Sequence, residues 1–322
     1  MSSRLFLLAA LLVAAAVFMI GRWFRIDYVF FAGYKVLLYV VLATAWNMLG
    51  GYTGYVNFGT AAFFAMGAYS SVALTKYFAG FALPIPVLMI AGGIVSGIVG
   101  LGMGYLTLRL RGVYFSIATL ALAVVVQTLV TNWDYVGGSR GAYMVRPAEA
   151  PVVGSYMQYL FLIMLALTVA AIATARAIER SKLGYGFASI RDDEAAAEAS
   201  GVPTLRLKLV ATALSGAFMG MAGAPYPYYV TYLDPTSGFS LAFAVNSIAM
   251  PLVGGMTNWV GPLIGALFLG SIQEAATVST ILGAHPEVNL LIVGLLLVSF
   301  VVAAPNGIVG LLEARLRAWR GP

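Results

Sequence analysis

The chain has no cysteine and only one histidine, His285, in 322 residues. Without cysteine there is no disulfide, no thiolate zinc site and no cysteine nucleophile. A lone histidine excludes HExxH and multi-histidine metal sites. Lysine is sparse too. None of Lys35, Lys76, Lys182 and Lys208 follows a glycine, so there is no Walker A loop. No catalytic cluster and no metal site is expected, which argues against a membrane-embedded enzyme. Charge itself is scarce: 9% of residues are charged, against about 25% in a soluble domain. Against these absences stands one excess, since 61% of the residues are hydrophobic. A globular domain of this size cannot hide so much apolar surface from water. The solvent for most of the chain is therefore a lipid bilayer. The net charge of +6 then records loop placement, and no nucleic-acid partner is expected.

A spanning helix needs roughly 20 apolar residues, at about 1.5 Å each, to cross a core about 30 Å thick. Such runs lie at about 5–21, 28–48, 60–80, 84–108, 113–131, 156–178, 207–230, 238–255, 260–281 and 288–304. Strand-period alternation is missing from them, so the expected fold is all-α and polytopic, with about ten transmembrane helices. Eight is the alternative count, because the glycine-rich stretches near 50–60 and 254–262 suit broken or re-entrant segments. The run at 5–21 ends in Met19-Ile20-Gly21-Arg22-Trp23, not in a small-residue cleavage site, and reads as a retained helix. With the N-terminus inside, twelve Lys and Arg residues face inward and five outward. The positive-inside rule thus sets both termini in the cytoplasm.

Charge concentrates in one inner loop, 179–206. Ser189 with Asp192 forms a capping-box pattern, acids suit the first turn, and Gly201 followed by Pro203 stops a helix. Glu194 and Glu198 share a face. The segment is either a solvated linker helix or an element that inserts an exposed acidic, alanine-striped face into a cytoplasmic partner. Gly50, Gly51, Gly54, Gly254 and Gly255 allow tight turns or a broken, pathway-lining helix. Asn47, Gln127, Asn246 and Gln273 either bond between helices or line a pathway, and Asn57 is a candidate pathway or turn residue. The stretches 49–56 and 253–260 echo one another. Gly97, Gly100 and Gly104 form a packing stripe. Lys35 and Glu274 fall roughly 10 Å deep on the outer side. Each either snorkels to the interface or pairs with the other. The tail at 305–322 has Ile308, Leu311, Leu312, Leu316 and Trp319 on one helical face and reads as an interfacial amphipathic helix.

Several blocks stand together: Ala45 to Gly54 with Phe58-Gly59; Leu110-Arg111-Gly112-Val113-Tyr114-Phe115; and Ser181-Lys182-Leu183-Gly184. Ala188 to Gly201, Lys208 to Ala224, and Gly254-Gly255-Met256 with Gly261-Pro262 complete the set. In combination they resemble the LivM-like branched-chain amino acid permeases of ABC importers. Tyr185, Arg140 and Thr257-Asn258 depart from the family pattern. The resemblance implies an ABC-importer permease fold forming one transmembrane domain over 1–322. It makes Arg191, Asp192, Asp193, Glu194, Ala197, Glu198 and Gly201 an ATPase-coupling loop. It also implies a second homologous permease subunit, two cytoplasmic ABC ATPases and a periplasmic or extracellular substrate-binding protein. ATP and Mg would bind the ATPases, and no cofactor this chain. The implied location is the bacterial inner membrane. The implied function is ATP-driven uptake of branched-chain amino acids by alternating access. Urea or short amides as substrates, or an ATPase-independent secondary transporter, are the alternatives.

Overall fold

The computed structural model describes residues 18–19, 27–78, 83–145, 155–278, 286–304 and 307–312. The expected first span at 5–21 lies almost wholly outside these residues, as do Arg146, His285 and the tail beyond 312. Besides two short 3-10 turns at Asp134–Val136 and Gly138–Arg140, thirteen α-helices follow one another among the described residues. They are α1 (Asp27–Thr53), α2 (Thr60–Tyr77), α3 (Ile85–Thr107), α4 (Val113–Thr131), α5 (Tyr156–Glu179), α6 (Lys182–Asp192) and α7 (Glu194–Ala199). Then come α8 (Thr204–Gly223), α9 (Tyr226–Val230), α10 (Pro235–Gly238), α11 (Leu241–Gly254), α12 (Val260–Val278) and α13 (Pro286–Ala303). Strand β1 (Ala142–Tyr143) pairs antiparallel with β2 (Tyr232–Leu233). Among the described residues the fold is thus all-α apart from this small ladder.

Six stretches among the described residues are long and apolar enough to cross a membrane. These are α1, α3, α4, α5, α8 with α9, and α10 with α11. Helices α2, α12 and α13 stand at the other expected positions downstream of the first. Two boundaries differ from the expectation. Helix α1 runs past 48 to Thr53, so Gly50 and Gly51 lie in its last turn and the chain turns at Gly54. The run 207–230 is interrupted at Ala224-Pro225, where Pro225 and Pro227 lack the N–H groups that would continue the ladder.

Residues 38–53 of α1 are buried on every side. A helix that is apolar all round belongs inside a bundle, and α1 packs against α5, α8, α11 and α12. The second packing unit is α2, α3 and α8. A methyl group on Gly67 would strike the Gly220 carbonyl oxygen, and one on Gly220 would strike Ser96 Oγ and the Gly92 carbonyl oxygen. The three backbones therefore touch, which small residues permit and which lipid-embedded helices need for van der Waals attraction. Ser96 Oγ donates to the Phe63 carbonyl at 2.8 Å, tying α3 to α2. The stripe on α3 joins this contact: a methyl on Gly100 would lie 3.1 Å from the Thr212 carbonyl oxygen of α8. On the far side of α3, Ile90, Ile94 and Ile98 are exposed, as suits a lipid-facing surface.

Overpacking this crossing costs about 3 kcal/mol. Gly220→Leu is thus expected to lower the thermal unfolding midpoint in detergent sharply. Gly102, also on α3, has nothing within 4 Å of an added methyl, and Gly102→Ala should raise stability by about 0.5–1 kcal/mol. Equal effects at the two positions would contradict the backbone contact.

Candidate functional site

The polar loop after α5 folds as two helices. Ser181 caps α6, its side chain accepting from Leu183 N at 3.2 Å. Phe187 and Ile190 bury the inner face of α6. Helix α6 stops where Asp193 turns extended (φ −158°, ψ 107°). Asp193 Oδ1 accepts from Ala195 N at 2.9 Å and Ala196 N at 3.1 Å, which starts α7. The expected start at Ser189 with Asp192 is therefore corrected. The Ser189 hydroxyl donates to the Gly186 carbonyl at 2.8 Å and lies inside α6. The end of α7 is as read: Gly201 adopts φ +83°. Gly201 N bonds the Glu198 carbonyl at 2.9 Å and Val202 N the Ala197 carbonyl at 3.0 Å. This is a Schellman ending, which requires a left-handed residue.

The face of α7 that carries Glu194 turns inward. Lys208 Nζ lies 2.6 Å from Glu194 Oε1. The Tyr55 hydroxyl donates a short hydrogen bond to Glu194 Oε2. Lys208 also donates to the Tyr55 hydroxyl at 3.0 Å and to the Leu108 carbonyl at 3.1 Å. The Lys208 side chain is 3% exposed, and its three N–H donors all have acceptors. Arg111 approaches from the rim, 3.8 Å from Glu194 and 3.7 Å from Glu198. Thr204 Oγ1 donates to Glu198 at 2.7 Å. Burial pushes the Glu194 carboxyl up. Hydrogen bonds from Lys208 and Tyr55, with the charges of Lys208 and Arg111, outweigh it and hold the group below its ordinary value. Burial first, and the Glu194 hydrogen bond second, push the Tyr55 phenol up.

The expectation that Glu194 and Glu198 present an exposed acidic face is thus corrected for Glu194, while the Glu198 side chain stays 49% exposed. Their shared face meets Lys208, Thr204 and Arg111, because a lysine within the first two turns of a buried helix demands a counter-charge. The outward face of the loop carries Asp192, Asp193, Ala195, Ala196 and Ala199, while Ala197 is buried. Arg191 reaches only Asp192 at 3.3 Å among the described ion pairs. Tyr55, Lys208 and Arg111 were not singled out as site residues by the sequence reading. The signal available for Lys208 was its position between Leu207 and Leu209 at the head of an apolar run.

The glycine-rich turns meet at this same end. Asn47 Nδ2 donates to the Asn258 carbonyl at 3.3 Å. A methyl on Gly51 would lie 2.5 Å from the Met256 carbonyl oxygen. The two echoing stretches thus pack side by side, with Gly254 ending α11 and Gly255 turning at φ +123°. Trp46 Nε1 donates to the Asn57 carbonyl at 2.9 Å, and the Asn57 side chain accepts from Gly59 N at 2.7 Å. Glu179 accepts from Trp259 N at 2.9 Å. Deeper in the bundle, Gln273 donates to Asn246 at 2.9 Å between α12 and α11. Toward the other end, Lys35 Nζ lies 2.9 Å from Glu274 Oε2, and the Tyr28 hydroxyl donates to Glu274 Oε1 at 2.8 Å.

The sequence matches the family model for the permease component of branched-chain amino acid transport systems over residues 28–301. The chain belongs to that family. It is 27% identical to the high-affinity branched-chain amino acid transport system permease protein LivM of Salmonella typhimurium, over 99% of this chain and 77% of that protein. With LivM of Escherichia coli the identity is 26% over the same shares. It is 24% identical to the probable branched-chain amino acid transport permease protein LivH of Methanocaldococcus jannaschii, over 85% of this chain and 89% of that one. No solved structure matches.

Lys208→Met leaves Glu194 without its main partner, and breaking a buried pair costs about 3 kcal/mol. The carboxyl is depressed in the folded state, so its stabilisation is complete above the ordinary value of 4.5 and fades as pH falls below it. The gap in unfolding midpoint between wild type and Lys208→Met should therefore be wide near neutral pH and narrow progressively as pH falls below 4.5. A gap independent of pH would contradict the pairing. For the other pair, Glu274→Lys should lower the yield of folded protein in membranes, and adding Lys35→Glu should restore part of it. Absence of any rescue would count against that pair's contribution.

Proposed function

We propose that this member of the branched-chain amino acid permease family is one membrane-spanning half of an ATP-driven importer. The observation that carries the proposal is convergence. Arg111, Glu194 and Lys208 come from three separate family-like blocks, Tyr55 directly follows a fourth, and they meet around the loop that follows α5.

In this reading the loop lies in the cytoplasm and α7 is the docking element. Its outward stripe, Ala195, Ala196 and Ala199 flanked by Asp192 and Asp193, suits close insertion into a groove on an ATPase. The ATPases hold ATP and Mg, and this chain performs no hydrolysis. A second, homologous permease completes the pathway, and a substrate-binding protein delivers the amino acid to the opposite end. Ten spans with both termini cytoplasmic agree with twelve inward and five outward basic residues. Nucleotide and substrate each favour one of two access states, and this difference in affinity couples hydrolysis to transport. A branched aliphatic side chain needs an apolar route with few strong binding groups, so that release stays fast.

Ala196→Trp should lower ATPase copurification about tenfold, as expected for blocking one tight contact, without loss of helical content. Normal copurification would move the docking surface elsewhere. In proteoliposomes holding the full complex, leucine uptake should be inhibited by isoleucine and valine and not by urea; inhibition by urea would overturn the substrate class.

A further inference from the structure

A six-residue helix such as α7 cannot hold itself rigid, because helix nucleation is costly and so short a segment gains few backbone bonds. What fixes α7 is its side-chain cluster. Glu194 joins it to the α1–α2 turn through Tyr55 and to α8 through Lys208. Glu198 joins it to α8 again through Thr204. Lys208 closes the circuit by bonding Tyr55 and the Leu108 carbonyl. The Tyr55 ring is braced edge-on by Phe115 at 5.0 Å between centroids. A cleft of about 550 Å³ lies among the loop, the α1–α2 turn and the start of α4, with Tyr55, Val56, Arg111, Ser116, Ile190 and Arg191 in its lining. Arg111 spans it with contacts no shorter than 3.7 Å and a side chain 61% exposed.

We propose that Tyr55, Glu194 and Lys208 are positioning residues that make the loop, the α1–α2 turn and the start of α8 one mechanical body. A displacement imposed on α7 then reaches α1 and α8 without slack, and it reaches α4 through the α1–α2 turn, where Ser116 Oγ donates to the Val56 carbonyl at 2.8 Å and Thr119 Oγ1 accepts from Phe58 N at 3.2 Å. The route onward is stiff: α1 is buried on every side from 38 to 53, and α8 meets α2 and α3 backbone to backbone at Gly220. The proposal rests on the permease reading above, since it takes α7 as the element that receives the motion.

The absence of cysteine makes a direct test clean. The double variant Glu194→Cys with Lys208→Cys is assembled with its partner permease, ATPases and binding protein in proteoliposomes. Leucine taken up per ATP hydrolysed is measured before and after bridging with a short bis-methanethiosulfonate. Unbridged, the ratio should fall about tenfold, a typical coupling energy, and bridging should restore most of it. Tyr55→Phe, which loses one hydroxyl and keeps its ring contact, should lower the ratio in the same direction. A ratio unchanged by either variant, or transport abolished by the bridge, would show that the loop works by sliding on α8 and overturn the proposal. Failure of the ATPases to assemble with the unsubstituted chain would instead defeat the permease reading.

Discussion

A lysine buried to 3% exposure at the head of an apolar helix governs the basic end of this protein. An ammonium removed from water needs a counter-charge and an acceptor for every N–H. Lys208 finds them in Glu194, Tyr55 and the Leu108 carbonyl. Each acceptor comes from a different segment, so satisfying one cation fixes the relative placement of α7, the α1–α2 turn, the end of α3 and α8. The orientation of α7 follows as well. With Glu194 drawn inward, the small residues Ala195, Ala196 and Ala199 are left on the outside.

Within the bilayer the constraint is different. No hydrophobic force drives apolar helices together there, and contact depends on close fit and on polar groups that find partners. The protein meets this with backbone-to-backbone contact at Gly67, Gly92 and Gly220, and with the Ser96 to Phe63 bond. The Gln273–Asn246 bond and the Lys35–Glu274 pair add links between α11 and α12 and between α1 and α12. The membrane region is thus joined by steric fit and isolated polar links, and the basic end by a shared charge.

Much of this was legible in the sequence, for physical reasons. Apolar runs separated by short polar turns located the downstream helices, because length and hydropathy suffice in lipid. Gly201 and Pro203 gave the end of α7 because a Schellman ending needs a left-handed residue. Equal depth on the same side brought Lys35 and Glu274 into one frame. Three features were not legible. Spacing of four set Glu194 and Glu198 on one face of a helix, but nothing local says whether that face turns to solvent or to protein. Ser189 and Asp193 are both competent caps, and the choice depends on how far the buried face of α6, Phe187 with Ile190, extends. Tyr55 lies 139 positions from Glu194, so no periodicity links them. Lys208 reads as a cytoplasmic charge and the start of a family-like block, although its apolar neighbours already require a partner for it.

The central claim is that the loop, the α1–α2 turn and α8 move as one. Spin labels at Ala196 and Arg206 report motion between α7 and α8, and labels at Ala196 and Val56 report motion between α7 and the α1–α2 turn. Pulsed electron spin resonance on the full complex, without nucleotide and with ATP trapped, measures both distances. The account predicts that both distances stay unchanged. A shift of either on trapping ATP would contradict it.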